Sequence, residues 1–167
     1  MLAPRKKLWS SPEIVLDKAL EMLKIEENDV VYDIGCGDGR FILKCASNTN
    51  VKKSIGIEIN EERCKEVQNK IDELNLGEKC SILCGNALEM DFSNATAIFI
   101  YLVPRGFRII LPYLLKLNHP LRVVTYMSPL PEQTAVQIEH VNTSSTDDET
   151  RWPLYLYHIH PESQSES

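Results

Sequence analysis

One segment, VVYDIGCGDGR at residues 30–40, is the part of the sequence that best indicates the fold. It begins with a short apolar run, Val30–Ile34, whose β-branched residues are typical of a buried strand. The run ends at a glycine-rich turn, and Phe41, Ile42 and Cys45 follow at helical spacing. The segment therefore predicts a strand, a glycine loop and a helix in direct succession.

The glycine loop is a candidate ligand site. Gly35, Gly37 and Gly39 lack Cβ atoms, so we expect backbone N–H groups to approach a ligand there, beside the positive end of the helix. The dinucleotide fingerprint would place its third glycine where Arg40 stands. The spacing therefore favours a nucleotide-like ligand but disfavours a nicotinamide-dependent oxidoreductase.

A second unit follows with a similar pattern. Residues 51–59 predict a strand, and Asn60 predicts the cap of a helix that closes before Gly77. Glu58 lies near the end of that strand, 19 residues beyond Gly39. A carboxylate at this position can accept both hydrogens of a ribose diol.

The remaining pattern predicts an α/β fold with a doubly wound, mostly parallel seven-stranded sheet and a C-terminal antiparallel hairpin. Ser11 is expected to cap a first helix that starts at Pro12 and runs to about Ile25. Pro112 is expected to interrupt or kink a later helix. The other predicted elements are strands at 80–84, 95–102, 121–127, 134–141 and 151–160, and that later helix at 104–117.

Composition limits the classes of protein. The 167 residues, 43% of them hydrophobic, predict one domain over 1–160, followed by a disordered tail at 161–167. The net charge of −6 opposes non-specific nucleic-acid binding and favours a basic or small partner. No apolar run is long enough to cross a membrane, so we expect a chain without a transmembrane segment.

The cysteines and histidines suggest neither a disulfide framework nor a metal site. The five cysteines include no Cys-x-x-Cys pair, so they are interpreted as reduced thiols of an intracellular protein, in the cytoplasm or an organelle. His158 and His160 share a strand face without an evident third ligand, and no metal is expected. The acidic run at 147–149 is interpreted as a solvated loop.

These features together resemble a known family. Residues 31–40 are similar to motif I of the class I S-adenosylmethionine-dependent methyltransferases, and the similarity extends through Glu58, residues 85–87 and residues 98–104. It covers roughly residues 10–130 and implies the Rossmann-like methyltransferase fold with S-adenosyl-L-methionine as cofactor. Within the family, the loop and the sequence Tyr-Leu-Val-Pro at 101–104 resemble small protein-lysine methyltransferases of the ATP synthase c-subunit lysine methyltransferase type.

The resemblance implies roles for particular residues. The implied cofactor-binding residues are Asp33, Gly35, Cys36, Gly37, Gly39, Glu58, Asn86 and Ala87. Asp33 and the loop would hold the methionine portion, and Glu58 the ribose. Asn86 stands where the family usually has an acidic residue, so its amide oxygen would accept the hydrogen bond of the adenine amino group, with a backbone contact from Ala87.

Tyr101 is the candidate residue on the acceptor side, where it would position the acceptor rather than act as a general base. The expected reaction is methylation of a lysine nitrogen of an unidentified protein substrate. A small-molecule or RNA methyltransferase on the same scaffold and a non-catalytic cofactor-binding subunit remain open as alternatives. DNA is not expected, because Tyr-Leu-Val-Pro replaces the Asn-Pro-Pro-Tyr motif of many nucleobase-amine methyltransferases. Residues 9–11 precede the first helix and are a candidate lid over the cofactor.

Overall fold

A computed structural model describes residues 10–143 and 150–161. The predicted tail beyond Pro161, the acidic run at 147–149 and Trp9 of the candidate lid lie outside these ranges. The strands are β1 (Val30–Ile34), β2 (Lys53–Glu58), β3 (Cys80–Cys84), β4 (Ala97–Ile100), β5 (Leu121–Tyr126), β6 (Gln137–Asn142) and β7 (Arg151–Ile159). The helices are α1 (Glu13–Leu23), α2 (Arg40–Asn48), α3 (Glu61–Glu73) and α4 (Pro104–Leu115), and a short 3₁₀ turn spans Ala87–Glu89.

The seven strands form a single sheet in the order β3-β2-β1-β4-β5-β7-β6. The first five strands are parallel, while β7 runs antiparallel to both β5 and β6. The predicted fold class is therefore confirmed. The chain winds outward from β1 in one direction and then from β4 in the other, so the topological switch point lies between these two central strands.

Helices on both faces bury the central strands. On one face, α1, α2 and α3 pack on the sheet, where the rings of Phe41 and Phe99 stack with centroids 4.5 Å apart. On the other face, α4 inserts Phe107 and Ile110. All five residues of β1 are buried, as expected for a strand covered on both sides.

Helix boundaries follow the sequence signals in part. The Asn60 side chain caps α3 by accepting a hydrogen bond from the Arg63 N–H at 3.0 Å, as predicted. The predicted Ser11 cap is wrong: Pro12 is the N-cap of α1, and no side chain caps that end. The helix also ends before Ile25, because Lys24 adopts the left-handed conformation with φ of 49°.

Pro112 does not interrupt α4, which runs through it. Proline removes the N–H that would bond to the carbonyl four residues earlier, here that of Arg108. Both Pro112 and Arg108 are exposed, so water can satisfy that carbonyl. The predicted interruption is therefore wrong, and the alternative, a kink at Pro112, stays a prediction.

The cysteine prediction also needs correction. Cys64 of α3 and Cys84 at the end of β3 form a disulfide with a Cα–Cα distance of 5.9 Å. Cys36, Cys45 and Cys80 are free and buried. The pairing depends on the packing of α3 against β3, which cysteine spacing alone does not reveal.

A polar network joins β1, β4 and β5 at their amino-terminal ends, opposite the glycine loop. The buried Asp29 carboxylate accepts hydrogen bonds from the Glu26 N–H at 2.7 Å, the Thr96 hydroxyl at 2.6 Å and the Arg122 guanidinium at 2.5 Å. Burial opposes ionisation of Asp29, but these donors outweigh it and lower its pKa.

Among the described residues, no helix is long and apolar enough to span a membrane.

Candidate functional site

The site lies at the carboxyl ends of β1 and β4, on either side of the switch point. Ile34 and Ile100 are register partners, so Gly35 and Tyr101 leave the sheet side by side. Gly35, Gly37 and Gly39 have φ of 78°, 60° and 76°, a region that favours glycine. The predicted loop and the predicted acceptor residue are therefore brought together.

The N–H groups of the loop have partners within the protein. Gly35 and Cys36 both donate to the Ile57 carbonyl, at 2.8 and 3.0 Å. Gly37 donates to Glu58 Oε2 at 3.0 Å, and Gly39 donates to the Cys36 carbonyl at 3.0 Å. The expectation that N–H groups face a ligand is therefore wrong at these four positions.

This arrangement distinguishes between ligand classes. A phosphate requires unpaired N–H donors, whereas an amino group requires acceptors. The acidic side chains of Asp33, Asp38 and Glu58 lie near one another. Burial first, and then Asp38 and Glu58, raise the pKa of Asp33 well above its usual range. A cation bound beside these three acidic side chains would favour the ionised form of Asp33, so the site suits a cationic ligand, such as one that carries an ammonium and a sulfonium.

Glu58 is buried and held in one orientation. Its Oε1 accepts a hydrogen bond from the Asn60 N–H at 2.9 Å, and its Oε2 accepts the one from Gly37. The Arg63 guanidinium lies 3.8 Å from Oε1. Each carboxylate oxygen keeps further acceptor capacity, so the predicted ribose contact fits the geometry.

Cys36 is a packing residue as far as its side chain is concerned. Its Sγ lies so close to Gly56 that a Cβ added there would be 2.6 Å away. Burial, and then the neighbouring carboxylates of Asp33, Glu58 and Asp38, raise the pKa of the Cys36 thiol well above its usual value. The thiol is thus a small apolar group rather than a nucleophile, and the predicted cofactor contact would come from the Cys36 backbone.

Asn86 has a structural role in addition to its predicted one. Its Oδ1 accepts a hydrogen bond from the Leu88 N–H at 3.2 Å, and its Nδ2 donates to Glu89 at 3.1 Å. It thereby caps the 3₁₀ turn that contains the buried Ala87. The amide oxygen retains a second lone pair, and its contact with adenine remains a prediction.

Two residues that support the loop were missed from the sequence. Arg40 donates to Asp38 Oδ2 at 3.0 Å and to the Ser11 carbonyl at 2.6 Å, while Ser10 donates to the same Asp38 oxygen at 3.1 Å. Lys70 of α3 donates to the Asp38 carbonyl at 3.2 Å. Arg40 and Lys70 thus fix the loop to the segment before α1 and to α3, over sequence separations that local patterns do not reveal.

Tyr101, the predicted acceptor-side residue, is half-buried. Its hydroxyl is 3.1 Å from Met127 Sδ, and its ring centroid is 4.9 Å from that of Tyr126. Burial, and then the neighbouring Tyr101, raise the pKa of Tyr126 to about 12. Neither Tyr126 nor Met127 was singled out from the sequence.

The described residues contain no group of three histidine, cysteine or acidic side chains arranged to bind a metal ion. His158 and His160 are both exposed at the end of β7.

Comparison with known proteins identifies the family. A family model described as the ANTKMT methyltransferase domain matches residues 33–137, well over half of the chain. The matched range contains every residue assigned above to the cofactor and to the acceptor side. This chain belongs to the ANTKMT methyltransferase family. It is an S-adenosylmethionine-dependent methyltransferase, as the resemblance of residues 31–40 to motif I implied.

One relative and two solved structures are compared with this ANTKMT-family chain. A protein-lysine N-methyltransferase of Saccharolobus islandicus is 40% identical in an alignment of 154 residues, which covers 89% of this chain and 91% of the relative. An RNA methyltransferase from Salinibacter ruber, solved with S-adenosyl-L-homocysteine, has a TM-score of 0.81 at 26% identity and covers 95% of this chain and 98% of its own. A precorrin-6y C5,15-methyltransferase from Geobacter metallireducens, with a TM-score of 0.70 at 16% identity over 96% and 94% of the two chains, shares the fold alone.

Proposed function

We propose that this protein transfers a methyl group from S-adenosylmethionine to a lysine side-chain nitrogen of a protein substrate. The observation that carries the proposal is the 40% identity to a protein-lysine N-methyltransferase over 89% of the chain. Similarity over nearly the whole length of both proteins includes the acceptor side as well as the cofactor loop.

Different residues of the site would bind different parts of the cofactor. Asp33 and the backbone of residues 35–39 would hold the methionine portion, with carbonyl oxygens and a carboxylate as acceptors for its amino group. Glu58 would bind the ribose hydroxyls, and Asn86 with Ala87 would contact the adenine. The cofactor, when bound, supplies a methyl group already activated by a cationic sulfur.

The acceptor side must align a nitrogen lone pair with the S–CH₃ bond and keep the amine unprotonated. The Tyr101 and Tyr126 rings and the Met127 thioether provide apolar surroundings, which favour the neutral amine over the ammonium. Tyr126, with a pKa of about 12, stays protonated at neutral pH and does not serve as a base. The lysine proton would therefore leave to water before or during entry of the side chain.

Charge supports a protein acceptor over a nucleic acid. The chain carries a net charge of −6, which attracts a lysine-bearing surface and repels a phosphate backbone. RNA is the second candidate acceptor, because the Salinibacter ruber structure at 26% identity is an RNA methyltransferase.

The test is a labelling experiment in a lysate of the source organism that lacks this gene, so that its acceptor sites are unmethylated. Purified protein and S-adenosyl-[methyl-³H]methionine are added, and the protein, RNA and small-molecule fractions are counted. We expect label in a discrete protein band that protease removes and ribonuclease does not. Label removed by ribonuclease, or label confined to small molecules, would establish one of the other acceptors, and binding without any labelling would indicate a non-catalytic subunit.

A further inference from the structure

We infer that Met127 is a positioning residue for methyl transfer: its thioether accepts the hydrogen bond of the Tyr101 hydroxyl and so fixes the Tyr101 ring where it contacts the acceptor. The inference rests on the proposed function, since it concerns the path by which a lysine side chain reaches the cofactor.

The location of the pair follows from the sheet. Tyr101 follows β4 and Met127 follows β5, and these parallel strands are paired up to Ile100 and Thr125. Both residues therefore lie at the carboxyl ends of these neighbouring strands. The predicted cofactor residues are Glu58, the last residue of β2, and Asn86, which follows β3, and both strands lie on the other side of β1. The ends of β4 and β5 are thus the part of the site where an acceptor can approach.

The backbone at Met127 is held in a conformation that methionine disfavours. Its φ is 68°, in the left-handed region that favours glycine. Three hydrogen bonds impose this turn: Met127 N–H to the Pro153 carbonyl at 2.9 Å, Ser128 N–H to the Tyr126 carbonyl at 2.9 Å, and the Thr125 hydroxyl to the Ser128 carbonyl at 2.8 Å. A side chain kept where glycine would fit better points to a use for that side chain.

The contact itself indicates the use. Tyr126 is almost fully buried, with 4% of its surface exposed, and its ring packs on the Tyr101 ring at an interplanar angle of 58°. Met127 Sδ lies 3.1 Å from the Tyr101 hydroxyl oxygen. Tyr101 is therefore held at its ring by one neighbour and at its hydroxyl by the other. A fixed aromatic face suits the methylene chain of lysine and the cationic nitrogen of the methylated product.

A double-mutant cycle tests the inference. Met127→Leu keeps the size of the side chain but removes the acceptor, Tyr101→Phe removes the donor, and Met127→Gln restores an acceptor. Met22→Leu makes the same chemical change at a methionine that is 3% exposed in α1 and serves as the control. The acceptor is the lysate protein fraction of the gene-deleted source organism, and the kinetic constants are measured alongside the affinity for S-adenosylhomocysteine.

We expect Met127→Leu and Tyr101→Phe each to lower kcat/KM for the acceptor about fivefold, the effect of one hydrogen bond. The double variant should be no slower than either single variant, because both changes remove the same interaction. Met127→Gln should recover most of the activity, and the affinity for S-adenosylhomocysteine should stay unchanged throughout.

Losses in kcat/KM that add up in the double variant, or a Met127→Leu variant that behaves like Met22→Leu, would overturn the role of Met127. The proposed function would still stand, because the wild-type protein would still methylate protein. A wild-type protein that transfers no methyl group to protein would overturn the proposed function, and this inference with it.

Discussion

Glu58 joins two parts of the predicted cofactor site, the glycine loop and the start of α3, through one carboxylate. It receives the N–H of Gly37 from the loop and the N–H of Asn60 from the start of α3, while the Arg63 guanidinium lies nearby. The side chain is thereby oriented before any ligand binds. Preorganisation of this kind raises affinity because little freedom is lost on binding.

Replacing Glu58 by Gln tests this role. The Nε2 group of Gln cannot accept, so one backbone N–H loses its partner and one ribose hydroxyl loses its acceptor. We expect the Kd for S-adenosylhomocysteine, measured by calorimetry, to rise roughly 10- to 100-fold, as for loss of a charged hydrogen bond. The control is Glu61→Gln, an exposed acid in the first turn of α3. Equal affinities in the two variants would show that Glu58 does not bind the cofactor.

Gly39→Ala tests the packing of the loop on α3. Gly39 has φ of 76°, and a Cβ there would lie 2.7 Å from Val67 Cγ1, a branched side chain with little freedom to move. We expect a loss of about 1–3 kcal/mol in the free energy of unfolding, from strain and overpacking combined. Gly77→Ala is the matched control, since nothing lies within 4 Å of its added Cβ. Thermal unfolding curves that coincide for the two variants would contradict this account.

Among the elements, those defined by local signals were predictable and those that depend on distant contacts were not. β1 and β3 match their predicted bounds, because apolar runs end at clear turn signals. The Asn60 cap was predictable for the same reason. At α1 the local signal misled, because the Ser11 carbonyl bonds to Arg40, 29 residues away, and the hydroxyl does not cap the helix. Likewise, the sequence predicted which residues form the glycine loop, but not the direction of their N–H groups. That direction depends on the pairing of β1 with β2.

The Cys64–Cys84 disulfide links α3 to β3 and closes a sequence separation of 20 residues. Loop-closure entropy predicts a stabilisation of about 3 kcal/mol. We therefore expect a reducing agent to lower the Tm of the wild-type protein. A Cys64→Ser, Cys84→Ser double variant should unfold at the lower temperature with or without reductant. A wild-type Tm that does not respond to the reductant, in protein whose free thiols have been counted before and after, would contradict the stabilising role.

At the scale of the molecule, the Asp29 network and the predicted binding residues lie at opposite ends of the parallel strands. The Asp29 network ties the start of β1 to Thr96 before β4 and to Arg122 of β5. The residues predicted to bind the cofactor and the acceptor lie at the carboxyl ends of the strands. Changes to the network should therefore alter unfolding without altering cofactor affinity, since the two sites share no residues.

Asp29→Asn tests this separation and its pH dependence. The folded-state pKa of Asp29 lies below its usual value of 3.8, so the carboxylate stabilises the fold above that pH and the contribution is lost as pH falls through the folded-state pKa. We expect a loss of about 2 kcal/mol at pH 7 that shrinks in acid. The control, Asp17→Asn, affects an exposed carboxylate paired with Lys44 and should change stability little. A pH-independent difference between the Asp29 variant and the wild type would contradict the ionised state.

The central claim, methyl transfer to protein lysine, is tested most directly by amino-acid analysis of the labelled protein fraction. Protein from the gene-deleted lysate is incubated with the enzyme and S-adenosyl-[methyl-³H]methionine, hydrolysed to amino acids and separated by chromatography. We predict that tritium co-elutes with Nε-methylated lysines, and that Glu58→Gln strongly reduces the tritium in these lysines at limiting cofactor. Tritium recovered in another amino acid, or in nucleosides released from RNA instead of in the protein hydrolysate, would contradict it.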